Sequence, residues 1–194
     1  MALYNSDYFA RLSENKSYSV RDKLLSESKK THASFDIFLS HSNLDRKLVE
    51  GIYIELIQKG ISVYVDWIID PHLDRTNVTK ETAEIIRNRM KSSRKLLLAM
   101  STNIDLSKWI PWELGFIDGK TNNCALFPIT PGNTISRVFD RREYLLLYPY
   151  LKKATIGNSE DLYLTESAHS FAPIDSWIRR DIRPTFNSIN IDSL

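Results

Sequence analysis

The sequence predicts an α/β fold, a mostly parallel sheet with helices on both faces. Three observations carry that expectation. Strand-like runs near residues 35, 61, 95 and 125 alternate with helical segments, which is the rhythm of βαβ units. The third run, Leu96 to Met100, is apolar at every position, as a central parallel strand buried on both faces requires. Each run ends in polar residues, and in such sheets ligands bind outside the carboxyl ends of the strands.

Residues 1 to 33 are charged and serine-rich, with scattered aromatic and leucine side chains. They are expected to form an appendage packed on the core or on a second copy, with helix near Asp7 to Ser13 and Ser19 to Ser28. The core domain is expected over 34–185. Phe35 to Ser40 is its first strand by composition, with His41, Ser42 and Asn43 as the loop after it. Ser42 and Asp45 form a capping signal for a helix from Leu44 to Gln58. Leu44, Leu48, Ile52 and Leu56 recur at steps of four, and Gly60 suits the stop.

Ile61 to Asp66 is the second strand. The long connection from Trp67 to Thr79 carries turn chemistry at Asp70-Pro71, Asp74-Arg75 and Asn77. A helix from Lys80 to Lys91 turns Ala83, Ile86 and Met90 inward. Lys95 to Met100 is the third strand and Ala125 to Thr130 the fourth, with Pro128 marking its end or an irregular edge. Residues 131 to 142 are a loop with room for a short helix, and Tyr144 to Leu147 a short fifth strand or extended segment. The stretch 151 to 170 is polar and weakly patterned. Pro173 opens a last helix along Ile174, Trp177, Ile178 and Ile182, which Pro184 stops, and residues 186–194 form a loose tail.

The bulk properties exclude several functions. The 194 residues suffice to bury a core without staples, and the hydrophobic and charged fractions, 42% and 26%, are ordinary for a globular protein. A net charge of +2 and the lack of a basic run argue against nucleic acid. Cys124 is the single cysteine, so no internal disulfide forms, and a buried structural thiol is expected. The polar N-terminus does not read as a signal peptide, and no apolar run reaches membrane-spanning length. A cytoplasmic setting follows, with no membrane partner. Six glycines include neither G-x-G-x-x-G nor a P-loop, and G-x-S-x-G is absent. The four histidines are dispersed, so no metal site and no cofactor are expected.

One stretch concentrates chemistry. From Ser107 to Gly119 a polar loop opens a helix: Ser107 suits a cap, Pro111 a first turn, and Gly119 the end. Ile110, Leu114 and Ile117 form a core-facing stripe, while Trp109, Glu113 and Phe116 fall on a neighbouring face. A carboxylate thus stands one turn from an indole near a helix N-terminus. On pattern alone a solvated first-turn acid is favoured, because helix N-termini prefer acids for dipole reasons. His41 at a strand exit fits a solvated loop histidine as well as a ligand contact.

These segments resemble a TIR domain (Toll/interleukin-1 receptor type). Phe35 to His41, Ile61 to Asp66 and Leu96 to Ser101 are similar to the family's first three strands, and Trp67 to Thr79 to the variable loop after the second. Trp109 and Glu113 stand at the W-x-x-x-E spacing of enzymatic TIR domains, as in bacterial antiphage defence. The resemblance implies a flavodoxin-like, five-stranded fold and cleavage of NAD⁺ at the nicotinamide–ribose bond. It makes Glu113 the catalytic carboxylate, with Ser40, His41, Asp66, Ser101 and Trp109 contacting the substrate. NAD⁺ is then substrate rather than cofactor, and the product is ADP-ribose or a cyclic form of it. Self-association through TIR surfaces and an effector sensing the product are the implied partners. As a first-turn acid, Glu113 is expected to be replaceable without harm to the fold. The alternative class is a non-enzymatic adaptor whose loop 67–79 docks another TIR surface. A nucleoside deoxyribosyltransferase-like enzyme, also built on a glutamate, fits the W-x-x-x-E placement less well.

Overall fold

The computed structural model describes residues 4–15, 26, 34–130, 143–156, 159–167, 170–179 and 187–188. The expected helix at 19–28 (Ser26 apart), the loop at 131–142 and the stop at Pro184 lie outside these residues.

Five strands run parallel in the order β3-β2-β4-β5-β6: β2 (Phe35–Ser40), β3 (Val63–Tyr64), β4 (Ser93–Met100), β5 (Cys124–Thr130) and β6 (Tyr150–Ile156). Beyond β6 the sheet continues antiparallel through β7 (Ser159–Ser167), β8 (Ser170–Pro173) and β9 (Asn187–Ser188). A further strand, β1 (Tyr4–Asn5), pairs with the end of β5. The expected parallel core is therefore present, and the antiparallel extension is new. The expected fifth strand is corrected: Glu143–Leu147 is a 3₁₀ turn, and the fifth strand is Tyr150–Ile156. A short apolar run such as Tyr144 to Leu147 does not distinguish strand from helix.

Residues alternate faces along each strand, and the core divides accordingly. One face collects Ile37, Leu39, Leu97, Ala99, Ala125, Phe127 and Ile129. Over it lie α1 (Ser6–Glu14), α2 (Arg46–Gln58) and α6 (Ile174–Arg179), supplying Phe9, Ile52 and Trp177. The other face collects Phe38, Leu96, Leu98, Met100 and Leu126. It is covered by α4 (Lys80–Lys91) through Ile86 and Met90, and by α5 (Ile110–Thr121) through Ile110, Leu114 and Ile117. A short helix, α3 (Asp66–Ile69), follows β3 directly, so the second strand is shorter than expected. Leu44, expected on the core stripe of α2, is exposed in a 3₁₀ turn at Asn43–Asp45. Ser42 caps that turn, accepting from the Leu44 amide.

Pro128 sits inside β5 rather than at its end. The Leu126 amide donates toward Pro149, so two residues on the missing Pro128 donor faces the same side. There β6, paired at Leu126, gives way to β1, paired at Ile129 and Thr130. The gap in the ladder falls where the neighbouring strand changes. Cys124 is buried, and burial followed by the Asp118 charge pushes its thiol well above the ordinary range, consistent with a structural role.

Residues 4–15 pack on the core through one face, with Phe9 and Ser13 buried and Asp7, Arg11, Glu14 and Asn15 exposed. Phe9 is fully buried and meets Phe127 edge to face at 5.6 Å. The α1 backbone presses on Gly51 in α2, where a Cβ would meet the Phe9 carbonyl oxygen at 2.2 Å. Glycine normally costs a helix about 1 kcal/mol relative to alanine. Here the clash outweighs that gain. Gly51→Ala is expected to destabilise the fold by about 2 kcal/mol, seen as a melting temperature about 4–8 °C lower. An unchanged or higher melting temperature would show that α1 does not hold this position.

Candidate active site

α5 brings Glu113 to the carboxyl edge of the sheet. Pro111 lies in the first turn, where its missing amide proton has no intrahelical partner to lose. The Glu113 amide donates to the Trp109 carbonyl at 2.9 Å, closing the first helical turn across the i, i+4 spacing. Trp109, not Ser107, occupies the cap position, and Asn122 in the left-handed conformation (φ 50°), not Gly119, ends the helix. The register of Ile110, Leu114 and Ile117 against the sheet turns Glu113 inward, and its exposure is 0%. A solvated surface acid is ruled out.

Both carboxylate oxygens of Glu113 are engaged. Ser40 Oγ donates to Oε2 at 2.5 Å, and Arg75 Nη1 donates to Oε1 at 2.7 Å. Ser40 ends β2 two residues after Phe38 and so points to the face that α5 covers. Arg75 comes from the connection between α3 and α4. Asp70 anchors its start, accepting two hydrogen bonds from Arg89 at 2.7 and 2.9 Å, and Thr79 caps α4 at its end. Between them Asp74 accepts from the Thr76 amide and hydroxyl in a tight turn. The turn leaves Arg75 buried between exposed neighbours.

The Arg75 guanidinium bridges Glu113 and Asp66, the first residue of α3. Burial opposes its charge, but the two carboxylates more than offset this and raise its proton affinity. Burial alone would push the Asp66 carboxyl up. The His41 ring, with Nε2 at 3.6 Å, and the Arg75 charge instead hold it down, at about 2. His41 is buried and donates from Nδ1 to the Leu39 carbonyl at 2.8 Å, while its ring meets Trp67 edge-on at 4.7 Å. It is not a solvated loop residue. Trp109 Nε1 donates to the Arg75 carbonyl at 3.1 Å, and its ring lies 5.9 Å from the guanidinium carbon. The indole thus holds the Arg75 segment in place.

Of the six residues expected at the site, the structure gathers Glu113, Ser40, Asp66, His41 and Trp109 around Arg75. It does not place Ser101 with them. Ser101 Oγ donates to Asp45 at 2.5 Å, and Asn103 bonds the other Asp45 oxygen at 2.7 Å. The reason is parity: Met100 faces α5, so the next residue turns to the opposite face. Arg75 is the residue sequence reasoning missed. The signal was a charge count: two carboxylates converging on one strand edge require a cation, and the long connection carries Arg75.

A cavity of about 340 Å³ lies on the outer side of Arg75, between Ser42, Asn43, Leu44, Thr76 and Trp109. Arg75 forms part of its wall. The arrangement therefore holds a buried carboxylate and hydroxyl on the inner side of a cation that itself lines a cleft.

No family model matches the chain. The chain is 44% identical over 151 residues to a probable 3′ cyclic ADP-D-ribose synthase, ThsB′, of Bacillus cereus (strain MSX-D12), covering 76% of this chain and 77% of that protein. It is 30% identical over 93 residues to a putative cyclic ADP-D-ribose synthase, TIR2, of Cytobacillus dafuensis, covering 46% of this chain and 24% of that one. It is 28% identical over 166 residues to the NAD(+) hydrolase TirS of Staphylococcus aureus (strain MSSA476), covering 84% and 53%. The chain thus spans about three quarters of the first relative, about a quarter of the second and about half of the third.

Proposed function

The chain belongs to the TIR family of cyclic ADP-ribose synthases, and from that premise we propose that it cleaves NAD⁺ at the nicotinamide–ribose bond and closes the remainder into a cyclic ADP-ribose. The observation that carries the proposal is the fully buried Glu113 carboxylate, held by Ser40 and Arg75 beside a cleft at the strand edge.

The chemistry suits one carboxylate. As the C1′–N bond breaks, its electron pair goes to the nicotinamide ring, which leaves neutral and needs no acid. The ribose takes on oxocarbenium charge, and an anion close to it stabilises that charge most strongly where water is excluded. Glu113 is that anion. Ser40, donating to Glu113, fixes the carboxylate's orientation. Attack on C1′ by a hydroxyl of the same molecule, with loss of its proton, gives the ring; attack by water gives ADP-ribose. The name of the 44% identical relative favours the 3′-linked cyclic product. No cofactor takes part, since NAD⁺ is itself consumed.

Access to Glu113 requires Arg75 to leave it. Self-association has separate support: Leu44, Val78 and Leu106, each 66% exposed, line the cavity that Arg75 walls. Among the described residues no helix is long and apolar enough to cross a membrane. We place the protein in signalling for antiphage defence, its product read by a partner effector.

The test is chromatography of products after incubation with NAD⁺ over a range of protein concentrations. Nicotinamide with a compound isobaric with ADP-ribose less one water supports the cyclase. Nicotinamide with ADP-ribose alone makes it a hydrolase. No nicotinamide at any concentration, with stable self-association, supports the adaptor.

A further inference from the structure

Arg75 combines features that do not belong together in a purely structural residue. Its side chain is 3% exposed, yet it stands on a surface turn whose other residues, Asp74 and Thr76, are exposed. Its guanidinium bridges Glu113 and Asp66, yet Nη2 has no hydrogen-bond partner. It separates the carboxylate that the proposed chemistry needs from the cleft through which a substrate would arrive. A buried cation fixed permanently on Glu113 would block the reaction.

The charges of NAD⁺ resolve this. The nicotinamide ring is positive and the diphosphate is negative, one ribose away from the scissile carbon. When the nicotinamide ribosyl group reaches Glu113, it brings a positive charge to the carboxylate and displaces the guanidinium. The diphosphate then needs a cation of its own. Among the residues lining the cavity only Arg75 and Lys108 are cationic, and Lys108 is exposed. A guanidinium presents a planar fork of donors matched to phosphate oxygens, and it remains charged when desolvated.

We propose that Arg75 is a two-position cation. It rests on Glu113 and Asp66 in the empty site and moves to the substrate diphosphate in the occupied one, making the enzyme selective for the dinucleotide over nicotinamide riboside. This rests on the NAD⁺-cleavage reading above. In the transfer Glu113 exchanges one cation for another and the released guanidinium meets the dianion, while Asp66 keeps the Trp67 amide as a donor at 2.8 Å and the His41 ring at 3.6 Å. Trp109 keeps hold of the Arg75 backbone carbonyl at 3.1 Å, so the transfer is assigned to the side chain alone. Substrates lacking the diphosphate displace Arg75 without giving it a new partner, and they are disfavoured for that reason.

The experiment compares wild type, Arg75→Gln and Arg75→Lys on NAD⁺ and on nicotinamide riboside, which shares the scissile bond but has no phosphate. Arg75→Gln should lower kcat/KM for NAD⁺ about 10- to 100-fold, mostly through KM, as expected for loss of a charge-assisted contact. The same substitution should raise kcat/KM for nicotinamide riboside, because Glu113 is no longer covered. Arg75→Lys keeps the charge and the fold but not the fork, and should lie between the two. Affinity for ADP-ribose, measured by calorimetry on the same proteins, should fall by the same factor as kcat/KM for NAD⁺. Equal loss on both substrates makes Arg75 structural, equal gain makes it only a plug, and either result overturns the proposal. If the wild type releases nicotinamide from neither substrate, the NAD⁺-cleavage reading fails separately. ADP-ribose affinity then decides: unchanged in Arg75→Gln, or unmeasurable in the wild type, it overturns the role assigned to Arg75.

Discussion

Glu113→Gln is expected to lower nicotinamide release from NAD⁺ by about a thousandfold or more, with the protein still folded. The amide keeps the volume and the hydrogen-bonding shape of the carboxylate. Its carbonyl accepts from Arg75 Nη1 or from Ser40 as before. What disappears is the negative charge proposed to face the developing oxocarbenium. Because Glu113 is buried and ion-paired, its replacement is not neutral for the fold, contrary to the expectation for a first-turn surface acid. A loss of about 2 kcal/mol follows from removing one charged partner of Arg75. Glutamine is therefore the informative substitution, since alanine would add a cavity to the broken pair. Undiminished turnover in a folded Glu113→Gln protein would remove Glu113 from the chemistry.

Much of the scaffold around this residue was readable from residue order. Parallel strands reveal themselves through apolar runs such as Leu96 to Met100, and α5 through Ile110, Leu114 and Ile117, all buried. The strand edge followed from the βαβ rhythm. What escaped had physical causes. β6 and β7 carry exposed or half-exposed polar side chains such as Lys153 and Glu166, so their short apolar pairs, including Leu162 and Leu164, set no clear period. The side of the sheet to which Ser101 points depends on counting from Met100, a step that clustering polar strand ends together passes over. Arg75 was hidden because loop residues carry no periodicity. Its position depends on a local turn at Asp74 and on two carboxylates supplied by distant segments.

Those same two carboxylates govern the second large effect. Asp66→Asn is expected to destabilise the protein by about 3 kcal/mol near neutral pH, the cost of breaking one arm of a buried ion pair. For a chain of this length that corresponds to a melting temperature lower by about 6–12 °C. The Asn side chain still accepts from the Trp67 amide, as Asp66 does at 2.8 Å, so the start of α3 is kept and the change isolates the charge. The pH dependence identifies the source. The folded protein holds the Asp66 carboxyl down at about 2, below its ordinary value of 3.8. A depressed carboxyl stabilises the fold above its unfolded value, and the contribution disappears as pH falls through the folded value. Asp66 should therefore contribute about 2 kcal/mol above roughly pH 4 that is gone near pH 2. Other carboxyls titrate in the same window in both proteins, so the difference between wild type and Asp66→Asn carries the signal. Urea midpoints taken in steps from pH 6 to pH 2 should show that difference shrinking below about pH 4. A difference constant across the series would mean that Asp66 is not ionised against Arg75, and that the guanidinium is held on Glu113 by packing rather than by charge. In that case the cation that covers the carboxylate would have no electrostatic reason to yield to a charged substrate.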